Sequence, residues 1–427
     1  MNNQSEKPRV VIIGAGFGGL WAAKKLHKQP VEVLLLDRNN YHSFWPLLYQ
    51  VGSAELEPSQ IAYPVRAILR RQPNVRFVMA EVTAVDTQQQ LVQTADPHQP
   101  PLAYDYLILA SGSVARFFGI PGAERHTFPL KTMEDGIRLR NQILRCFETA
   151  EREQDPQRRR RLLTFAIVGG GPTGIEYAGA LAELVYNPLA KDYPGITINE
   201  VQIILVEAQG QLLQGMPDSL GQYAAARLQT MGVEVRLQAM VSAITADSLT
   251  LNQNEPIPTE TVIWTAGVGG EEVAARSGLP TQRNGTVPVQ PTLQVDGLPQ
   301  VYVVGDLAYF EEKGQSLPML APVAMQQGEW AARNILRHLN GEAPQPFSYR
   351  DRGSMATIGR NAAVARLYGR NFTGFIAWLV WVFVHIQELI GFRNRLVVLI
   401  NWAYNYIAFE RMVRLILPAK LTRDKQD

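Results

Sequence analysis

Three glycines, Gly14, Gly16 and Gly19, stand in the segment GAGFGG, and an acid, Asp37, ends the next apolar run. A turn stripped of side chains lets a pyrophosphate lie against backbone N–H groups at a helix N-terminus. A carboxylate one strand further on accepts hydrogen bonds from ribose hydroxyls. The arrangement recurs at Gly169, Gly171 and Gly174 in GGGPTG, with Glu207 closing the following run. One such motif is weak evidence; two, each in full context, predict two dinucleotide sites.

The context is a βαβ unit in both places. Val10 to Ile13 reads as a buried parallel strand, LWAAKKLHK as a helix, and Val31 to Asp37 as the next strand. TFAIV, IEYAGALAELVY and Val201 to Glu207 repeat that order. Tyr104 to Ser113 and Thr261 to Val268 are strands ending in small-residue turns, and Val301 to Asp306 is a strand ending in Gly-Asp. The expected fold class is α/β, with two Rossmann-like dinucleotide-binding domains. A flavin enzyme is the reading that uses both sites, with FAD on the first and a nicotinamide on the second. Asp306 would bond the ribityl or pyrophosphate part of FAD. Glu207 repels a 2′-phosphate and is followed by Ala208 and Gln209 rather than an arginine, so NADH is expected over NADPH.

Composition narrows the chemistry. The chain has 427 residues, 46% of them hydrophobic and 19% charged, enough for two or three domains with large cores. A net charge of +2 gives no general pull toward nucleic acid. Cys146 stands alone, which excludes cysteine-based zinc sites, iron–sulfur clusters and a dithiol relay; it reads as an ordinary part-buried residue. The six histidines are scattered, and no metal site is expected. The arginine run Arg158–Arg161 reads as a solvated loop. No apolar signal region opens the chain, so the first domain is expected in the cytoplasm.

Near the C-terminus, Phe372 to Ile386 carries no formal charge and is rich in aromatics. As a helix it would be about 22 Å long, short of the ~30 Å of bilayer hydrocarbon. Leu396 to Phe409 is a second short apolar segment. Residues 351–427 hold eleven Lys/Arg against five Asp/Glu. These features predict amphipathic helices lying in a membrane interface, with Trp378, Trp381 and Trp402 among the membrane-contacting residues and Arg393, Arg395, Arg411 and Arg414 at headgroup level. A buried core helix is the competing reading, and a true span the least supported.

Beyond the glycine turns, three stretches are more specific: NYHSFWPLLYQVGSAELEP after Asp37, Glu176 just after the second turn, and LAPVAMQQGEWAARNI (Leu320 to Ile335). With the C-terminal region, they make the whole chain resemble the type II NADH dehydrogenases, single-subunit NADH:quinone oxidoreductases that pump no protons. Those belong to the glutathione-reductase-like group, in which the NAD domain is inserted in the FAD domain. The resemblance implies an FAD part at 1–120, a connecting helical segment at 121–162 and an NADH domain at 163–270. FAD binding then resumes at 271–345 with a quinone-site helix, and 346–427 anchors to the membrane.

The same resemblance assigns residues. FAD contacts are Gly14, Gly16, Phe17, Gly18, Gly19, Asp37, Arg38, His42, Val82, Ser111, Gly112, Gly305, Asp306 and Ala324. NADH contacts are Gly169, Gly171, Thr173, Gly174, Glu176, Glu207 and Gly267. Glu176 would orient the nicotinamide or tune hydride transfer, while Gln326 and Gln327 would polarise a quinone carbonyl beside Pro322 and Met325. The family's first glutamine in that helix is here Pro322. His385 has three readings: quinone tunnel, headgroup level or plain packing; Lys131 is a nucleotide contact or an exposed lysine. The implied partners are a quinone, a membrane lipid surface on the cytoplasmic side and a second copy in a homodimer. Two rivals stay open: an NAD(P)H reductase for a protein acceptor such as ferredoxin, and a membrane-docked nucleotide-sensing flavoprotein.

Overall fold

The computed structural model describes residues 7–252, 256–408, 410–411 and 413–417. The N-terminal MNNQSE stretch, Phe409 and the basic residues beyond 417 lie outside them. In chain order the first elements are β1 (Arg9–Ile13), α1 (Phe17–Lys25), β2 (Glu32–Asp37), α2 (Leu48–Gly52), β3 (Val75–Met79) and β4 (Tyr106–Leu109). β5 (Thr127–Pro129), α3 (Met133–Ala150), α4 (Pro156–Leu162), β6 (Thr164–Val168), α5 (Pro172–Leu184), β7 (Gln202–Val206), β8 (Val233–Arg236) and β9 (Thr261–Trp264) follow. The chain continues through β10 (Gln294–Val295), β11 (Leu298–Val303) and α6 (Ala321–Leu339). It ends in β12 (Ser354–Thr357), β13 (Ala363–Leu367), β14 (Arg370–Thr373), α7 (Gly374–Glu388) and α8 (Phe392–Ala408).

These elements form two compact units. The first holds Met1–Ser43, Ala62–Arg116 and Val268–Asp351; the second holds Phe44–Ile61, Phe117–Gly267 and Arg352–Asp427. Two stretches therefore fall elsewhere than expected. Residues 44–61, assigned above to the FAD part, pack through α2 against α3 and α5. The C-terminal region joins the second unit, because β12 lies against α5.

In the first unit the sheet order is β10-β11-β4-β1-β2-β3, parallel except for the β10–β11 pair. β1 sits between β2 and β4, so the strand order reverses beside it. The carboxyl ends of β1 and β4 then flank the crevice where open α/β sheets bind ligands. Val10, Val11 and Ile12 are fully buried, as a central strand with both faces covered requires. The second unit repeats the plan as β5-β9-β6-β7-β8, with the crevice between β6 and β9.

α1 and α6 cross at a point where neither has a side chain. A Cβ on Gly328 would lie 2.1 Å from the Gly18 carbonyl oxygen. Nothing in the sequence pattern singled out Gly328, since a lone glycine inside a helical stretch has no motif to announce it.

Two local readings are corrected. Arg158–Arg161 is not a loop but belongs to α4, which Asp155 caps through the Gln157 N–H and Pro156 opens. Arg158 pairs with Glu153 at 3.0 Å, Arg159 with Glu200 at 2.6 Å, and Arg161 faces Glu260 at 3.6 Å, so three of the four charges have an acidic partner. Phe372 and Thr373 belong to β14, and the apolar helix starts only at Gly374. No helix among the described residues is long and apolar enough to cross a membrane.

Replacing Gly328 by valine should force α1 and α6 apart. We expect a loss of about 1–3 kcal/mol, the usual scale of overpacking, read as a lower urea midpoint.

Candidate functional site

In the first unit the turn after β1 is held by one carboxylate. Asp37 Oδ2 accepts from the Ala15 N–H at 2.7 Å, and Oδ1 accepts from the Asn39 N–H at 2.7 Å. Burial pushes this carboxyl above its ordinary value, and the two N–H groups oppose that shift. Gly14 takes φ +102°, which a side chain would strain, and a Cβ on Gly19 would fall 1.8 Å from the Gly14 carbonyl oxygen. Gly16 begins α1 with no side-chain cap and open space where its Cβ would be. Uncapped N–H groups over a turn without side chains are what a pyrophosphate needs.

Several other residues of the predicted FAD set carry polar groups or turns in the same unit. Ser111 and Gly112 follow β4 after the single residue Ala110. His42 Nδ1 lies 2.9 Å from the Ala15 carbonyl, and Phe17 meets the His42 ring edge-on at 5.1 Å. His42 Nε2 and Ser111 Oγ are buried without a hydrogen-bond partner, two polar atoms that fit a polar cofactor against them. Burial lowers the His42 pKa to about 4, so the ring is neutral. Ser113 Oγ donates to Asp306 at 2.5 Å, in the turn Gly305–Leu307 after β11. Ala324 is buried on α6 and Val82 half-buried, while Arg38 is exposed.

The second unit rebuilds the same clasp. Glu207 Oε2 accepts from the Gly170 N–H at 2.6 Å and Oε1 from the Gln209 N–H at 2.8 Å. Gly169 takes φ +112°, a Cβ on Gly174 would sit 1.9 Å from the Gly169 carbonyl oxygen, and Gly171 has open space beside it. Thr173 is exposed in the first turn of α5. Gly267, at φ +87°, follows β9 across the crevice and is covered by the Phe118 ring.

Glu176 lies on α5 and is 8% exposed. It borders a cavity of about 50 Å³ shared with Tyr49, Gln50, Trp381 and Arg411. Desolvation is the main influence on its carboxyl and raises the pKa to about 8; the Thr357 N–H, at 3.4 Å, and the Trp381 indole oppose it. At neutral pH the group is therefore mostly a carboxylic acid, able to donate a hydrogen bond. Cys146 is also buried, its thiol pushed up to about 12, and so is inert as a nucleophile.

The two glutamines depart from expectation. Gln327 is 1% exposed, and its side-chain oxygen accepts from the Gly305 N–H at 2.7 Å, so it shapes the Asp306 turn rather than facing a substrate. Gln326 is tied at both ends to the Arg350 backbone, at 3.0 and 3.1 Å. Pro322 opens α6 and Met325 is buried one turn later.

Several residues expected at the membrane interface turn inward instead. Trp381 is 2% exposed and stacks on His385 at 4.1 Å; His385 is thus a packing residue, neutral, with its pKa lowered to about 4 by burial. Trp402 donates to Gln50 at 2.9 Å. Arg411 is buried between Glu183 at 3.1 Å and Glu55 at 3.6 Å, and Arg414 pairs with Asp192 at 2.7 Å. The Trp402 indole and the Arg411 and Arg414 guanidinium groups found polar partners inside the unit, which is a stronger pull than a wet surface offers. Trp378 is half-buried beside Phe375 and Tyr406. Arg393 is exposed, and Arg395 donates to the Leu389 and Gln387 carbonyls at the end of α7. The outward stripe is aliphatic and phenyl: Phe375, Ile376, Leu379 and Phe383 on α7 are about half to two-thirds exposed.

Comparison with known proteins agrees with this geometry. Residues 8–328 match the family description "Pyridine nucleotide-disulphide oxidoreductase", and residues 352–411 match "NDH2 C-terminal domain". The chain is 40% identical over 417 residues to the type II NADH:quinone oxidoreductase Ndh of Mycobacterium tuberculosis, covering 94% of this chain and 89% of that one. NdhA of the same organism is 39% identical over 418 residues, covering 94% and 88%. Among solved structures, NDH2 of Plasmodium falciparum in complex with NADH aligns with a TM-score of 0.88 over 97% of this chain and 100% of that one; at 20% identity this speaks for the fold.

The Glu176 carboxyl gives a signed pH effect. An unfolded glutamate ionises near 4.5, whereas this one holds its proton to about 8. Its contribution to stability is complete below pH 4.5 and is lost as pH rises toward 8. Urea titrations at pH 6 and pH 8.5 should show the wild type losing stability across that interval and Glu176→Gln losing less.

Proposed function

The chain belongs to the type II NADH:quinone oxidoreductases, and on that premise we propose that it transfers a hydride from NADH to FAD and then two electrons to a membrane quinone, without pumping protons. The observation that carries the reading is the pair of glycine turns, each clasped by a carboxylate, in a chain whose single cysteine is buried. With no thiol pair to relay electrons, a bound flavin must pass them directly to its acceptor. FAD, when bound, supplies an isoalloxazine ring that takes a hydride and gives up two electrons.

The chain's own residues bind, orient and tune. Gly14, Gly16 and Gly19 seat a pyrophosphate on α1, and Asp37 meets the adenosine ribose. Ser111, His42 and Asp306 hold the remaining polar atoms of FAD. In the second unit Gly169, Gly171 and Gly174 seat the NADH pyrophosphate, and Glu207 meets its ribose. Glu176, as a carboxylic acid, orients the nicotinamide amide by donating to it. Gln327 acts one step removed, by fixing the backbone at Gly305. Gln326 meets a quinone carbonyl only by releasing Arg350, so backbone groups around Pro322 and Met325 are the first candidates to bond the acceptor.

The exposed stripe on α7, with Leu396, Leu399, Ile400 and Ile407 on α8, supports peripheral attachment to a lipid surface. The cytoplasmic side and a homodimer are part of the same proposal and rest on the family resemblance. A protein acceptor such as ferredoxin would leave that stripe without a role.

Three measurements test the reading. FAD-loaded protein should oxidise NADH with a short-chain quinone and not with ferredoxin; turnover with ferredoxin alone would overturn it. Glu207→Gln should raise kcat/KM for NADPH about tenfold, a change of ~1.4 kcal/mol, by removing a charge from beside the 2′-position. Ile376→Asp with Phe383→Asp should abolish co-sedimentation with anionic vesicles. These surface changes are cleaner than deleting 372–427, which would also strip Trp381 and Arg411 from the Glu176 cavity.

A further inference from the structure

α5 carries a stripe of three residues, Glu176, Ala180 and Glu183, and all three line the same cavity. Positions i, i+4 and i+7 share one helix face, so the two carboxyls are two turns apart, roughly 10 Å along the axis. The ends of the stripe differ. Glu176 is enclosed, whereas the Glu183 and Glu55 side chains are 16% and 17% exposed. The space between the ends exists because position 180 is alanine, a methyl group that leaves room for water-sized guests in the gap. Among the polar groups that border that space are Tyr49 and Trp381. The Tyr49 hydroxyl stands within electrostatic reach of Glu176, Glu55 and Glu183 and accepts from Gln50 Nε2 at 2.9 Å, which leaves its own proton to donate. The Trp381 indole N–H is buried and closes no hydrogen bond of good geometry.

Charge is graded along the stripe. At the outer end Glu183 faces the Arg411 guanidinium at 3.1 Å and accepts from the Arg360 N–H at 2.6 Å, and Glu55 faces Arg411 at 3.6 Å. At the inner end Glu176 has no ion pair among the described residues, and burial favours its protonated form. Tyr177, on the same helix, turns its hydroxyl to the Gly52 carbonyl at 3.3 Å and away from the route.

The reaction needs such a route. Passing a hydride from NADH to a quinone delivers two electrons and one proton. Quinol requires a second proton, so NADH, H⁺ and quinone give NAD⁺ and quinol, and that H⁺ comes from solution. We propose that the Glu183–Ala180–Glu176 stripe, with Tyr49 and water in the cavity, is the proton entry route that recharges Glu176 during reduction of the acceptor. Glu183 and Glu55 take protons from solvent, and Glu176 passes one on and is reprotonated along the cavity. This rests on the reading that the chain reduces a quinone with Glu176 close to the redox chemistry.

Ala180→Leu tests the route, because it plugs the gap without changing any titratable group. Tyr49→Phe removes one oxygen with almost no change in volume and carries the test if the leucine variant does not fold. The first readout needs no turnover: exchange of the Glu176 carboxyl proton after mixing with D₂O, followed by its infrared carbonyl band, which Glu176→Gln identifies. Both variants should slow that exchange about a hundredfold, the low end of what a positioned proton donor contributes. The second readout is anaerobic stopped flow on FAD-loaded enzyme. Reduction by NADH should proceed near the wild-type rate, while reoxidation by a short-chain quinone slows to a similar degree, with a larger solvent isotope effect. Wild-type exchange and reoxidation in both variants, or equal slowing of the two half-reactions, would overturn the route. A wild-type enzyme with no quinone-dependent turnover would overturn the functional reading and the route together.

Discussion

The structure depends on one close approach, made twice. A helix N-terminus can lie against the end of a parallel strand only where the helix residue facing the turn has no side chain. Gly19 meets Gly14 in this way, and Gly174 meets Gly169, with less than 2 Å between a notional Cβ and the carbonyl oxygen. Any Cβ would push the helix off its sheet and open the turn. The carboxylate at the end of the next strand then accepts two backbone N–H groups and locks the geometry. Charge-assisted hydrogen bonds of this kind are among the stronger local constraints available to a loop. They leave lone pairs on the same carboxylate for a ribose.

A second constraint is buried charge. Glu55, Glu183, Arg360 and Arg411 all border one cavity of the second unit. Ions removed from water are costly and are tolerated only with partners and hydrogen bonds. Arg411 satisfies this with a bond to the Ser53 carbonyl at 2.7 Å and two carboxylates. The C-terminal segment is therefore a structural part of the unit that carries Glu176 and not a detachable tail. Removing Arg411 would leave two acids without their main counter-ion.

α7 shows how one apolar helix can serve two environments. Ala377, Trp381 and His385 form a buried stripe at four-residue spacing, while Phe375, Ile376, Leu379 and Phe383 face outward. Both stripes are apolar, so hydropathy cannot tell them apart. What separates them is chemistry: the two rings bearing N–H groups, Trp381 and His385, turned inside the unit, while the exposed stripe is plain hydrocarbon. That division leaves a stripe of plain hydrocarbon on the outer face of α7.

Much was determined by sequence alone. The two glycine turns, their closing acids Asp37 and Glu207, and the order of strands around them were legible because local backbone geometry admits few residue types at those positions. The brevity of the C-terminal apolar runs followed from helix rise alone. Other features were decided only by tertiary structure. Gly328 and Ala180 matter because of what lies across from them, and small residues inside a helix carry no local signature. Gln326 and Gln327 bond backbone groups at Arg350 and Gly305, partners that lie far from them in sequence. Residues 44–61 joined the second unit, and Arg411 went inside, because each found partners there. Local patterns specify which segments form; where a lone polar side chain ends depends on long-range partners that no short stretch encodes.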